Sequence, residues 1–395
     1  QRENRPTLVL AYHASRSARC FLKSHPFSKK YMKRIVAHID MDAFFAAIEE
    51  RDTPRFKGAA LVIGADPKNG LGRGVVSTAS YKAREYGIKS AMPISQAWKL
   101  ASAARERGEP ATIFLPVDMK KYVRVSDEIF QILKQHVPLV EAASVDEAYL
   151  DLGFTKSYKK AAELCRKIKN DIKKRLRITA SIGLGPNKLI AKIASDRDKP
   201  NGMTIITEKQ AEKFLEPLSI RTIPGVGPKT EKFFQEKGIQ TVRDLKQYSL
   251  QELQLFLGKW GVDLYHRVRG EDDSPIAEER EAKSIGEQET FDEDTLDSRI
   301  IFERLKALCE GVIQRFKKDG FIGYRTIVLT VRFENFTTFS SSHTLSDAGN
   351  SFDTLYREGM KLMMPYLDRR KNPRRQKIRL IGIRVEKLEV LPFPV

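Results

Sequence analysis

His38-Ile39-Asp40-Met41-Asp42-Ala43-Phe44-Phe45 and Ser144-Val145-Asp146-Glu147-Ala148-Tyr149 are the two stretches whose reading decides the fold. Both place carboxylates beside apolar runs. Residues 35–39 read as a buried strand that ends at Asp40, and 142–152 alternate like a strand or hairpin. Carboxylates gathered at strand ends are costly unless a cation neutralises them. Hard oxygen ligands of this kind suit Mg²⁺, which takes one or two carboxylates and shares the phosphates of a substrate. Either cluster alone reads as solvated strand-end acids or helix caps, and Asp42 is placed to cap the helix that opens at Ala43. Together, on a basic chain with phosphate-binding features, Asp40, Asp146 and Glu147 read as a metal site.

Outward from these clusters, helical spacing marks 43–51, 78–86, 122–136, 158–175 and 186–195, and short strands are predicted over 59–64 and 178–183. The order predicts an α+β sheet of the split βαβ type. The connections across 53–111 are too long for turns, so a subdomain is predicted there. From 208 to 270 the pattern is helical and broken by Pro217, Pro224-Gly225, Gly227-Pro228, Gly238 and Gly258. Residues 271–283 are acidic and read as a linker. The remainder reads as a separate small α+β domain, with strands over 326–333 and 377–385 and helices over 300–317 and 351–367.

Composition narrows the function. The 395 residues are 41% hydrophobic and 31% charged, enough apolar material to exclude a wholly disordered chain. Three scattered cysteines, Cys20, Cys165 and Cys309, rule out a disulfide framework or zinc cluster and suit a reducing compartment. No stretch approaches the ~18 apolar residues of a membrane span. A net charge of +19, from 70 Lys+Arg against 51 Asp+Glu, points to a polyanion, nucleic acid first, with an anionic membrane surface as the plainer alternative. Residues 1–33 are basic and acid-poor, and read as a mobile extension, with an organelle transit peptide as the alternative.

Three further motifs carry chemistry. Ser77-Thr78-Ala79-Ser80-Tyr81-Lys82-Ala83-Arg84 puts hydroxyls and N–H groups at a predicted helix start, with Tyr81 and Arg84 on one face. A phenol and a guanidinium there suit a triphosphate tail; the plainer alternative is an amphipathic helix with a snorkelling arginine. The turn after the 186–195 helix presents Lys199, suited to act as a point charge on phosphate. Ile223-Pro224-Gly225-Val226-Gly227-Pro228-Lys229-Thr230 is a helix-hairpin-helix signal. Its free N–H groups hold a DNA phosphate without reading bases, which makes Gly225, Gly227, Lys229 and Thr230 candidate DNA contacts. In the C-terminal domain, Arg369-Arg370-Lys371, Arg374-Arg375, Lys377 and Arg379 fit DNA-backbone contacts or a solubilising loop.

With these residues in hand, the chain resembles the Y-family translesion DNA polymerases of the DNA polymerase IV (DinB) type. The resemblance runs from about Ile35 to the C-terminal strands. It rests on Asp40-Met41-Asp42-Ala43-Phe44-Phe45, the segment from Ser77 to Tyr86, Gly87-Ile88-Lys89-Ser90-Ala91-Met92, Ser144-Val145-Asp146-Glu147, Lys199-Pro200-Asn201-Gly202 and Lys283-Ser284-Ile285-Gly286-Glu287, in the family's order. It implies a right-hand fold: a ferredoxin-like palm (34–43 and 112–207), small fingers (44–111), a helix-hairpin-helix thumb (208–270), the 271–283 linker and a DNA-binding little finger (284–395).

The resemblance further implies a low-fidelity, template-directed DNA polymerase that transfers dNTPs to a primer 3′-hydroxyl. Asp40, Asp146 and Glu147 would be the catalytic carboxylates and hold two Mg²⁺ ions, with the Met41 carbonyl assisting. Phe44, Phe45, Ser77, Thr78, Tyr81, Arg84 and Lys199 would contact the nucleotide, and Phe45 would be the steric gate against ribonucleotides. Primer-template DNA and dNTP are the implied partners, and the protein is expected to be a monomer off the membrane.

Many relatives end in a peptide that docks on the replication sliding clamp. The tail Leu391-Pro392-Phe393 has that character without a preceding Gln, so the clamp stands as a candidate partner. The internal Gln251-Glu252-Leu253-Gln254-Leu255-Phe256 resembles a clamp peptide too, but reads as a core helix. A cytoplasmic location is expected, nucleoid-associated in a prokaryote. Two rivals use the same features: a nucleotidyl cyclase-like palm enzyme and a non-catalytic DNA-binding scaffold.

Overall fold

The computed structural model describes residues 34–278 and 281–390, which form two compact units dividing between residues 279 and 280. The expectations for residues 1–33 and for the 391–395 tail lie outside the described residues. In the first unit, β1 (Val36–Met41) is buried along its whole length and leads into α1 (Phe44–Asp52). A small sheet follows, built from β2 (Leu61–Gly64), β3 (Val76–Ala79) and β4 (Ile113–Leu115) in the order β3-β2-β4. With it go α2 (Tyr81–Glu85) and α3 (Ile94–Glu106), packed around Val62, Val76, Ala83, Ile88 and Ile94.

The chain then returns to the first sheet. It runs through α4 (Met119–His136), the hairpin β5 (Val140–Ala142) and β6 (Glu147–Asp151), α5 (Tyr158–Leu176), β7 (Ala180–Gly185), α6 (Lys188–Arg197) and β8 (Met203–Ile205). The sheet order is β5-β6-β1-β7-β8. β1 lies between antiparallel β6 and β7, which is what a split βαβ pattern demands of its first strand. Glycine lets α6 ride directly on this sheet. A Cβ on Gly183 would stand 2.0 Å from the Ala191 carbonyl oxygen and 2.3 Å from the Ser195 nitrogen.

Five short helices complete this unit: α7 (Glu208–Leu215), α8 (Pro228–Gln235), α9 (Val242–Lys246), α10 (Leu250–Leu257) and α11 (Lys259–Arg267). Phe214, Leu215, Phe234, Leu253 and Leu264 make their shared core. Ser or Thr with Glu, Asp or Gln forms a reciprocal capping box at α7, α9 and α10, which is how such short helices start where they do. Leu253 is fully buried and Phe256 half-buried, but Gln251, Glu252, Gln254 and Leu255 are exposed, so only part of the 251–256 peptide belongs to the core.

The acidic segment after α11 is not a free tether over its first eight residues. The Asp272 carboxylate accepts from the Leu189 N–H at the start of α6 (2.9 Å), and Arg34 donates to the Asp272 carbonyl (2.9 Å). Glu141 and Lys188 form a buried ion pair (2.8 Å), and the Ala277 N–H donates to the same glutamate (3.0 Å). A composition-based reading sees only charge and polarity there, not these partners.

The second unit is a four-stranded antiparallel sheet, β11-β10-β12-β9, with two helices. Its elements are β9 (Ser284–Thr295), α12 (Ser298–Lys318), β10 (Phe321–Phe333), β11 (Thr338–Gly349), α13 (Phe352–Leu367) and β12 (Ile378–Val390). β9 escapes sequence reading because it is rich in Glu and Asp. Its acids are met by α12: Glu289 pairs with Arg304 (3.1 Å) and Glu287 with Arg315. In the basic run, Arg369, Arg374, Arg375 and Lys377 are exposed. Arg379 instead turns inward, 3.7 Å from Asp294 and with its guanidinium 4.4 Å from the Phe336 ring centre. Among the described residues no helix is long and apolar enough to cross a membrane.

Candidate active site

The two acidic clusters meet by strand register. Asp40 is the antiparallel partner of Glu147, and the Met41 N–H donates to the Asp146 carbonyl (3.0 Å). Directly opposite residues stand about 5 Å apart at Cβ, so the carboxylates of two distant segments become neighbours. Burial raises Asp40 to about 7; Lys199 opposes that rise, and the neighbouring Glu147 reinforces it. Burial raises Asp146 too, against a hydrogen bond from the Ser144 hydroxyl. Glu147 goes the other way. Burial pushes it up, but His38, Lys192 and a hydrogen bond from Asp40 outweigh that and hold it well below the usual carboxylate range. Crowded carboxyls whose proton affinities split in this way are sharing a site.

Lysines partner the acids. Lys199 Nζ lies 2.7 Å from Asp40 Oδ2 and 2.7 Å from Asp196, and Lys192 Nζ lies 2.8 Å from Glu147 Oε1. Burial makes His38 a weaker base than usual. Its Nδ1 meets the Ser195 hydroxyl (2.8 Å), and its Nε2 stands 3.7 Å from Glu147. With these lysines in place, no three His, Cys, Asp or Glu side chains among the described residues converge on one point. The donors nevertheless fit a hard divalent cation: all are carboxylate oxygens, and they gather where the end of β1 meets the start of β6.

A cleft opens above, walled by Asp40, Met41, Ala43, Phe44, Ser77, Thr78, Tyr81, Arg84, Ser90, Asp146 and Lys199. Glu147, turned to Lys192, and Phe45 are not in that wall. Arg84 stacks on the Tyr81 ring (4.7 Å), and its Nε donates to the Ala79 carbonyl (3.0 Å). Burial, with help from the Asp42 charge, pushes the Tyr81 phenol up to about 12, so it stays a hydrogen-bond donor. Phe45 lies flat on Tyr122, centroids 4.1 Å apart and planes 11° from parallel, and Tyr122 donates to Glu49 (2.7 Å).

Two expectations need correction. Ser77 and Thr78 lie in β3, not at a helix N-terminus, because Val76–Ala79 pairs with Leu61–Gly64. Ser80 is the cap of α2, accepting from the Ala83 N–H. Nor does Asp42 cap α1. That helix starts from Ala43 in the left-handed region (φ 45°) without a side-chain cap. Asp42 is 4% exposed and accepts from Thr179 Oγ1 (2.7 Å), Ser181 Oγ (2.7 Å) and the Asn201 N–H (2.8 Å). Sequence reading missed Asp42 in that role, and also Lys192, His38 and Ser90. Helical spacing put Lys192 on α6, but nothing local signalled that α6 would face Glu147.

The helix-hairpin-helix turn is formed as its residues predict. Ile223 and Val226 are buried, Gly225 takes φ +96° against Trp260, and Gly227 starts α8 with Pro228 at its first position. Gly225 and Lys229 are exposed and Thr230 half-buried.

Known proteins agree with this architecture. The impB/mucB/samB family model matches residues 39–196, that family's C-terminal domain matches 282–392, and the DNA polymerase-iota thumb domain matches 221–272. DNA polymerase IV 2 of Methanosarcina mazei is 41% identical over 366 residues, 92% of this chain and 95% of the relative. DNA polymerase IV of Methanoculleus marisnigri is 40% identical over 356 residues, covering 90% and 95%. Among solved structures, the Y-family DNA polymerase chimera Dbh-Dpo4(243-245)-Dbh superposes with a TM-score of 0.78 at 30% identity, over 90% of this chain and 99% of that one. Fold and relatives together define a DNA-directed DNA polymerase of the translesion class. The chain belongs to the Y-family DNA polymerases, of the DNA polymerase IV type. A cyclase-like enzyme or a non-catalytic scaffold is not favoured.

Proposed function

We propose that the cleft above β1 and β6 is where this polymerase joins a dNTP to a primer 3′-hydroxyl on template DNA, with Asp40, Asp146, Glu147 and the Met41 carbonyl holding two Mg²⁺ ions. The observation that carries the reading is the register that sets Asp40 against Glu147 and Met41 against Asp146, beneath a wall of phosphate-binding groups. Mg²⁺ held by these residues would supply Lewis-acid chemistry, making the primer hydroxyl more acidic and offsetting phosphate charge. The chain's own groups do the rest. Tyr81 donates a hydrogen bond, Arg84 and Lys199 place positive charge, and the Ser77 and Thr78 hydroxyls line the path of the triphosphate.

Lys199 pairs with Asp40 and Lys192 with Glu147, which offsets part of the charge of a crowded carboxylate site. Phe45, held rigid on Tyr122, is the proposed sugar gate. Phe44 has a claim to the same role, because it is among the residues that wall the cleft. The turn at Gly225, Gly227, Lys229 and Thr230 and the exposed arginines of the C-terminal unit are the proposed contacts to primer-template backbone. The protein acts as a monomer, and a sliding clamp remains a candidate partner through its tail.

The test is primer extension by Asp146→Ala. Extension should fall by at least about a thousandfold while primer-template affinity stays within about threefold of the parent. Extension within tenfold of the parent would overturn the assignment.

A further inference from the structure

We propose that Lys169 and Asp42 are positioning residues for the incoming nucleotide: they hold the 199–202 turn from opposite sides and so fix where Lys199 stands. This rests on the reading of Lys199 as a phosphate contact.

The turn is held at both of its polar edges. On one side the Asp42 carboxylate accepts the Asn201 N–H (2.8 Å), and the Ser181 hydroxyl links it to the Gly202 N–H (2.7 and 3.2 Å). On the other, Lys169 of α5 donates its ammonium to the Asn201 carbonyl (2.6 Å) and the Gly202 carbonyl (2.9 Å). Opposite charges thus grip the N–H and C=O of one residue. Charge-assisted bonds of this kind are the strong ones. Asn201 itself sits in the left-handed region at φ 55°. A Cβ on Gly202 would lie 2.0 Å from the Asp198 carbonyl oxygen, so a larger residue there has no room.

A buried carboxylate is retained at a cost unless its bonds are satisfied. Asp42 satisfies them from β7 and the turn, and it faces away from the helix it was placed to cap. It also lies 3.5 Å from the Tyr81 hydroxyl, so one carboxylate registers both the phenol and the lysine of the proposed triphosphate site. A lysine on a flexible stem is a useful phosphate contact only if its backbone is fixed. A misplacement of about 1 Å at a positioning group can cost on the order of a hundredfold in rate.

The decisive variant is Lys169→Met, which keeps the aliphatic stem on a half-buried helical position and removes the cation. Its KM for dNTP in primer extension should rise about tenfold, with kcat within about threefold and the protein still fully folded at the assay temperature. Lys169→Arg should recover most of the loss. In a Lys199→Ala background, Lys169→Met should add less than about twofold, because no lysine remains to be positioned. Asp42→Asn should show the same KM signature if it folds; the Lys169 series stands without it. Equal KM effects of Lys169→Met with and without Lys199 would overturn the positioning role, as would a KM within twofold of the parent. If Lys199→Ala itself leaves the dNTP KM unchanged, the reading of Lys199 falls and this inference with it. A KM rise in Lys199→Ala without one in Lys169→Met defeats the inference alone.

Discussion

Adjacent aromatics in α1 show how far single residues can be read. Neighbours in a helix point about 100° apart, so Phe44 and Phe45 must face different surroundings. Both are buried, yet Phe44 walls the cleft while Phe45 stacks on Tyr122. Phe45→Ala is expected to admit ribonucleotides, and because both rings are buried each truncation is expected to cost about 3–5 kcal/mol, so discrimination rather than stability tells them apart. The ratio of deoxy- to ribonucleotide kcat/KM for both variants decides. Lost discrimination in Phe44→Ala alone would move the gate one residue back. Asp40, Asp146, Glu147, Tyr81, Arg84 and Lys199 stand out in the sequence because each lies in a motif with local meaning; the fold brings Asp40 opposite Glu147 and sets the other four in the cleft wall, and their roles are those proposed for the site. Asp42 was legible as a residue but not as a role, since its partners Thr179, Ser181 and Asn201 are brought to it only by the sheet.

Elements were legible where periodicity is strong and lost where another rule overrides it. Ser77-Thr78-Ala79-Ser80 is a good capping sequence and predicts a helix start; pairing of β3 with β2 overrides that local preference. β9 was hidden by its charge, which Arg304 and Arg315 offset across the fold. Contact between α6 and β7 is a tight demand at this scale. Gly183→Ala should push α6 from the sheet and destabilise the first unit by about 3 kcal/mol, since the new methyl meets backbone rather than a movable side chain. Denaturant unfolding checks this, and a midpoint equal to the parent's would show that α6 shifts without cost.

The division of the whole chain into two units was visible as an acidic break, but not its exact length. Residues 271–278 belong with the first unit through Asp272 and Ala277, which shortens the connection to β9. Truncation after residue 278 should leave single-nucleotide insertion measurable, weaken primer-template binding and flatten its salt dependence, because the exposed Arg369, Arg374, Arg375 and Lys377 are lost. An unchanged slope of log affinity against log salt would contradict a DNA-binding role for that unit. The core thiols report on both units at once. Burial pushes Cys165 and Cys309 each up to about 12, so neither is a nucleophile at neutral pH. Peptides carrying them should stay unalkylated in the native protein and label fully after unfolding. Rapid native labelling of either would mean that its unit opens.

The account turns on Glu147 acting with Asp40 although it now faces Lys192. Single-turnover insertion of one dNTP by Glu147→Ala, on primer-template at saturating protein, tests this most directly. The account predicts a fall of at least about a thousandfold with unchanged primer-template affinity. A rate within tenfold of the parent would contradict it.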